Sequence, residues 1–339
     1  MTNDCCKFLL HQLVFFHNAI GPCCSRTIIH TPLKRTFNSL TDQCIEEFLE
    51  VRKSNIEIFN KGEKPFCYEN CGLYDKSETI QNEPIQLNHI TISNRTKCNC
   101  NCIYCEHSQG GVSKVRSQLN RLKTYDIVPI LKKLKEKSLI SKGCEFIISG
   151  GECAEYPKKE LEYILNLVQE LEGSALLLSS GIRYSKQIED ILQSGTARIT
   201  ISVDSGTKKT YEKIKRVKTF NKVWDNLKKY SKAASQNQNA EVEAKYIIIP
   251  GINDSCEEIQ AFVDKCVSIN CKYVRAEIEH YWMYNNFEKT LSDDMINLFK
   301  YFEDAAINNN LRFRLEGVGR SWMLTKFKES GNSFKTRHV

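Results

Sequence analysis

His89-Ile90-Thr91-Ile92-Ser93, then Lys97-Cys98-Asn99-Cys100-Asn101-Cys102-Ile103-Tyr104-Cys105, is the stretch on which the reading of the fold turns. The first five residues are rich in β-branched side chains and predict a strand. The loop after it carries four cysteines, of which Cys98, Cys102 and Cys105 have three and then two residues between them. Three thiolates this close on one loop can grip three irons of a [4Fe–4S] cube and leave the fourth iron open to a non-protein ligand. A zinc site would instead want two well-separated Cys/His pairs. The nearest histidine is His107, and zinc or a chance cysteine-rich loop stand as the alternatives. Cys100 interrupts the spacing and is expected not to be a ligand.

Outward from this stretch the chain alternates strand and helix. Strands are expected over 85–93, 145–149, 175–179, 198–203, 242–249, 273–278 and 311–315. Between them Ile127, Ile130, Leu131 and Leu134 recur at helical spacing, as do Leu161, Ile164, Leu165 and Val168. Short strands that are apolar on both faces belong in a parallel sheet. Six or so such units predict an α/β fold, a partial parallel (β/α)6 barrel over 86–322, with function at the C-terminal ends of its strands. Residues 1–85 lack this rhythm. They read as a Cys-rich, mostly helical extension with one helix over 40–59, striped by Ile45, Phe48, Leu49, Val51 and Ile56. Residues 323–339 read as a basic, flexible tail.

Composition narrows the classes further. The chain has 339 residues, 41% hydrophobic and 26% charged, which excludes a disordered or fibrous protein. Of its 16 cysteines, 11 lie in residues 1–105, too uneven for generic core packing. No apolar run approaches the roughly 20 residues that span a bilayer, and the short run over 8–16, broken by His11 and Gln12, does not read as a signal peptide. No membrane association is expected, and a reducing cytoplasm, where cysteine clusters more often hold metal than form disulfides, is the expected location. The formal charge is +7. The lysines of 132–137 and 208–218 read as solvated helix faces, and nucleic-acid binding is the minority reading.

Phe146-Ile147-Ile148-Ser149-Gly150-Gly151-Glu152 is an apolar strand ending in a glycine pair and a carboxylate. The glycines allow close approach of backbone, and carbonyls with Glu152 can accept hydrogen bonds from an ammonium group. A tight turn is the plainer alternative. Cys153 follows at the mouth of the expected barrel, and Cys144 begins the same strand in a structural role. Cys256, Cys266 and Cys271 are expected in the core beside Ile259, Phe262 and Val263. Arg275, Glu277, Glu279 and His280 end the sixth strand and are candidates for substrate binding. Tyr281, Trp282 and Tyr284 follow them.

The cysteine loop after the first strand, with Tyr104 before its last cysteine, resembles the radical S-adenosylmethionine (radical SAM) enzymes. The resemblance covers roughly residues 86–285. It implies that Cys98, Cys102 and Cys105 hold a [4Fe–4S] cluster whose open iron takes S-adenosylmethionine (SAM). Reductive cleavage would then give methionine and a 5′-deoxyadenosyl radical that abstracts hydrogen from substrate. By the same resemblance Gly150, Gly151 and Glu152 match the segment that binds the methionyl amine, and Tyr104 helps seat adenine through its backbone. Ser180 stands where the family often has Asn. Ser202 and Asp204 match a segment contacting ribose or carboxylate; a strand followed by a helix cap is the alternative. The segment 247–254 is similar to the fifth-strand exit near adenine.

Cys23, Cys24, Cys67 and Cys71 resemble the ligands of an auxiliary iron–sulfur (SPASM or twitch) module, here ahead of the barrel rather than after it. That implies a second Fe–S cluster, with Cys5, Cys6 and Cys44 as further candidates. The implied partners are a reductant such as flavodoxin or ferredoxin and a peptide, sugar or small-metabolite substrate. A reading from another class is a non-catalytic metal- or nucleic-acid-binding protein with structural Cys–metal sites.

Overall fold

The computed structural model describes residues 11–16, 20–21, 42–60, 86–105, 125–279, 283, 286 and 292–316. Cys5, Cys6, Cys23, Cys24, Cys67, Cys71, His280, Tyr281, Trp282, Tyr284 and the 323–339 tail lie outside them, as does the side chain of Cys44. The described residues fall into two compact units, 1–97 with 119–176 and 98–118 with 177–339.

In the first unit β1 (Gln12–Phe16) pairs antiparallel with β2 (Ile20–Gly21) and parallel with β3 (Leu87–Ser93), which pairs parallel with β4 (Ile140–Ile148). Its helices are α1 (Asp42–Asn60), α2 (Val128–Glu136) and α3 (Lys158–Glu170). The apolar stripes expected on α2 and α3 are buried, with Leu131, Ile164 and Val168 at 0% exposure. Apolar burial of this kind stabilises by roughly 1.5–3 kcal/mol per large side chain. Strand β1 was not expected. Leu13, Val14 and Phe15 are all buried, so the strand has no polar face and shows no period-2 alternation to read. Arg52 of α1 is also buried and donates from Nη2 to the Gln12 carbonyl at 2.7 Å, tying the helix to this strand.

β5 (Ser174–Ser179) carries the chain into the second unit. There β6 (Ala197–Ser202), β7 (Glu241–Ile248), β8 (Tyr273–Ile278) and β9 (Arg312–Leu315) pair in that order, all parallel. The intervening helices are α4 (Lys186–Ser194), α5 (Lys208–Lys215), α6 (Phe220–Ala234), α7 (Cys256–Ser268) and α8 (Asp293–Asn308). Hydroxyl caps start three of them. Thr207, Ser255 and Ser292 accept from the backbone N–H of Thr210, Glu258 and Met295, satisfying donors that a helix leaves unpaired.

One face of this sheet packs on helices through aromatic rings. Tyr246 lies 4.9 Å from Phe262 of α7 and 5.4 Å from Phe302 of α8, and Phe302 lies 5.3 Å from Phe313 of β9. Parallel strands joined through helices are the mostly parallel α/β class that the sequence predicts. Among the described residues no helix is long and apolar enough to cross a membrane.

Candidate active site

The second unit positions the cysteine loop. The loop rests on the end of α5, whose last carbonyls have no partner within the helix. Asn101 N–H donates to the Lys215 carbonyl and Ile103 N–H to the Ile214 carbonyl, both at 3.0 Å. Ile103 and Tyr104 pack with Ile252 on a buried cluster of Ile214, Ile247 and Ile249. On its other side Ser180 Oγ donates to Asn99 Oδ1 at 2.8 Å. Cys102 is buried, while Cys98 and Cys105 are partly exposed. Cys100 is buried as well, and its N–H points at Cys98 Sγ, 3.4 Å away. The hydrogen bond from Cys100 is the main cause that pulls the Cys102 thiol down to about 6, against burial, while Cys100 itself is pushed up.

Beneath the loop lies a buried polar triad. Tyr104 donates its hydroxyl hydrogen to Asp204 Oδ2 at 2.6 Å, and Lys215 Nζ donates to the Tyr104 hydroxyl oxygen at 2.9 Å. Lys215 also pairs directly with Asp204. Both charges are removed from water, at 1% and 0% exposure. Asp204 Oδ1 accepts from the Ile247 N–H at 2.9 Å, and the Asp204 carbonyl accepts from Asn253 Nδ2 at 2.9 Å. The residue has a positive φ of 61°, where Asn and Asp are the best tolerated side chains after Gly. Burial pushes the Tyr104 hydroxyl well above its usual range, with the Asp204 charge adding to the shift. Burial alone would lower Lys215, but Asp204 together with Cys102 and Cys100 outweighs it and holds the ammonium charged.

Lys215 is the functional residue that sequence reasoning missed, because 208–218 read as a solvated face. The available signal was its place beside Tyr211 and Ile214, the buried residues of α5. Asn253 falls within the 247–254 segment singled out from the sequence. Its side chain accepts from Ile249 N–H and donates to both the Ile247 and Asp204 carbonyls, fixing the turn after β7.

The first unit positions the Gly-Gly-Glu segment. Gly150 has φ +96°, and a Cβ there would lie 2.3 Å from the Arg95 carbonyl oxygen. At Gly151 a Cβ would lie 2.1 Å from the Lys97 carbonyl oxygen, and the Gly151 N–H donates to the Arg95 carbonyl at 2.7 Å. The glycines thus pack against the backbone of 93–97, the segment leading into Cys98. Gly151→Ala is expected to destabilise the protein by about 1–3 kcal/mol, since the obstacle is backbone rather than a flexible side chain. A chemical-denaturation midpoint indistinguishable from the parent's would refute this account of the glycine.

Glu152 is buried and its Oε1 caps the following turn, accepting from the Ala154 N–H at 3.1 Å. Cys153 is buried beside it. Tyr156, with its hydroxyl 3.2 Å from both Asn94 Oδ1 and the Ser149 carbonyl, braces the turn. Arg95 pairs with buried Glu160.

The other expected residues take different positions. Ser202 ends β6 and is register partner to Lys245. Arg275 is partly exposed, whereas Glu277 and Glu279 are buried. Cys144, Cys266 and Cys271 are buried. Cys256 is exposed rather than in the core; it is the first residue of α7 after the Ser255 cap, one turn ahead of Ile259, the first buried apolar residue of the helix.

The donor chemistry suits an iron–sulfur cluster: three thiols from one short loop, on a platform that fixes the loop's backbone. Among the described residues no three His, Cys, Asp or Glu side chains gather around a single metal ion. A cube holds its thiolates at separate corners, so its ligands need not converge as those of one ion must.

Comparisons with known proteins bear on the family and the fold. The family model described as the radical SAM superfamily matches residues 95–264. GTP 3′,8-cyclase of Desulforamulus reducens is 23% identical over 201 residues, 58% of this chain and 57% of that enzyme. The enzyme of the same name from Petrotoga mobilis is 26% identical over 184 residues, covering 52% and 51%. The match therefore spans just over half the length of each relative. Among solved structures, Streptococcus suis SuiB bound to S-adenosylmethionine is similar with a TM-score of 0.52 at 16% identity, over 86% of this chain and 60% of that one. That likeness is one of fold.

Proposed function

The chain belongs to the radical SAM superfamily, and from that membership we propose that it is an enzyme that cleaves SAM reductively at a cluster held by Cys98, Cys102 and Cys105. The observation that carries the proposal is the three-thiol loop seated on the α5 carbonyls and on the Tyr104–Asp204–Lys215 triad. When bound, the cluster and SAM together supply a one-electron cleavage that delivers a hydrogen-abstracting radical. This chain's residues do the holding. Tyr104 and the backbone of Asn101 and Ile103 fix the loop so that its thiols keep one arrangement. Gly150, Gly151 and Glu152 offer the backbone and carboxylate suited to an ammonium group, and Ser180, Ser202 and Asp204 are the further residues proposed around the cofactor.

We assign Cys23, Cys24, Cys67 and Cys71 to a second cluster in residues 1–85, ahead of the catalytic region over 86–322. A flavodoxin- or ferredoxin-like reductant and a peptide, sugar or small-metabolite substrate complete the reaction. The test is electron paramagnetic resonance of the anaerobically reconstituted, reduced protein with and without SAM. An iron open to SAM changes the spectrum when SAM is added; a spectrum that SAM leaves untouched would contradict the proposal.

A further inference from the structure

The face of the second-unit sheet opposite α7 and α8 carries a row of cations at one register level. Ser202 of β6 aligns with Lys245 of β7, Lys245 with Arg275 of β8, and Arg275 with Arg314 of β9. Residues in register on adjacent strands share a face, so Lys245, Arg275 and Arg314 stand side by side. The row lies one step from the triad, since the Lys245 carbonyl accepts from the N–H groups of Val203 and Asp204.

Three carboxylates accompany these cations, and two of them, Glu243 and Glu277, lie deeper than any of the cations. The cation side chains are 18%, 23% and 30% exposed for Lys245, Arg275 and Arg314. Glu243 and Glu277 are 5% and 6% exposed and Glu241 is 18%. Of these six side chains the two arginines are the most exposed, and the carboxylates hold the cations in place. Arg275 donates through Nε and Nη2 to Glu277 at 2.7 and 2.6 Å, and Arg314 pairs with Glu241 at 2.8 Å and with Glu243 at 3.2 Å. Arg314 is also stacked 4.9 Å over the Tyr273 ring.

Donor capacity is left over. Arg275 Nη1 is 3.7 Å from Glu243, beyond hydrogen-bond reach, and the contact of Lys245 Nζ with Glu277 is long, at 3.4 Å. A guanidinium has five N–H donors in a planar fork and an ammonium three, and the fork matches two-oxygen acceptors. We propose that Lys245, Arg275 and Arg314 form an anion subsite that takes a carboxylate or phosphate group of the substrate. Lys245 and Arg275 lie at its centre. The subsite as such follows from the sheet's own geometry; only its assignment to a substrate rests on the proposed radical SAM reading.

The test is titration of the reconstituted full-length protein with inorganic phosphate and, separately, with succinate, by calorimetry at constant ionic strength set with chloride. Saturable binding is expected for at least one. Binding of phosphate alone identifies a phosphate-bearing substrate, of succinate alone a carboxylate-bearing one, and of both the shared anion chemistry. Arg275→Gln should weaken it at least tenfold, and Lys245→Gln, which removes the most lightly held cation, should do so if Arg275→Gln fails to fold. Lys132→Gln, an exposed cation of α2, should leave it unchanged. The proposal is overturned if neither anion binds beyond chloride, or if the subsite variants bind as the parent does. Because the readout needs no SAM cleavage, failure of the catalytic reading would appear separately, in the SAM-dependent spectrum.

Discussion

Replacing Cys98, Cys102 and Cys105 together by alanine is expected to remove about four irons per chain and to abolish SAM cleavage. A [4Fe–4S] cluster needs the thiolates, and alanine offers no donor. Cys100→Ser is the informative companion. Cys100 is buried between two of the proposed ligands, with its N–H on Cys98 Sγ, and it breaks the ligand spacing. The serine variant is expected to retain the cluster. Iron and sulfide analysis of the reconstituted proteins separates the two. A triple variant with the parent's full iron content would dismiss the ligand assignment, and iron lost in Cys100→Ser would make Cys100 a ligand. Should residues 1–85 hold the second cluster, the parent carries about eight irons and the triple variant about four.

The second large effect is expected at Lys215. It pairs with Asp204 out of contact with water. Removing one partner leaves a buried charge uncompensated, which costs about 3–5 kcal/mol, whereas replacing both by apolar residues is often neutral. Lys215→Met is therefore expected to lower stability by about 3–5 kcal/mol. The pair Asp204→Asn with Lys215→Met, which removes both charges yet suits the positive φ and can still accept from the Ile247 N–H, is expected to recover much of that loss. Function should not recover with it, because Tyr104 would still lack the carboxylate that holds its hydroxyl and, through it, the cysteine loop. A folded double variant that takes up iron poorly, or shows a broadened cluster spectrum, is the predicted result. A double variant with the parent's spectrum would reduce the triad to a packing feature.

The pH dependence of this contribution follows from the direction of the shift. The folded-state value of Lys215 lies above its ordinary one. Its stabilisation is thus fully present below about pH 10 and is lost only as pH rises further, through the folded value. Lys215 should contribute no slope to stability between pH 6 and 9.

The physical origin of each signal decides what the sequence made legible. The seven strands expected from residue 86 onward all form, the sixth over the same residues, 273–278. Apolar runs punctuated by turns are local signals, and so is the cysteine spacing, since chain connectivity alone puts Cys98, Cys102 and Cys105 on one loop. Strand β1 was hidden because burial on both faces erases alternation. Lys215 was misread because a lysine on a helix is ordinarily solvated. Its partners are 11 residues away, at Asp204, and 111 away, at Tyr104, and no local pattern records the second of these. Cys256 was placed in the core from its neighbours' hydrophobicity, although it opens its helix a turn ahead of the first buried apolar residue, Ile259. The cation row required strand register, which sequence fixes only through the whole sheet.

The central claim is that the cysteine loop holds a cluster that cleaves SAM. The most direct measurement is 5′-deoxyadenosine formed from SAM by the anaerobically reconstituted protein with dithionite, beside the triple alanine variant treated identically. The account predicts 5′-deoxyadenosine and methionine in equal amounts from the parent and none above background from the variant. No cleavage by an iron-loaded parent, or equal cleavage by both proteins, would contradict it.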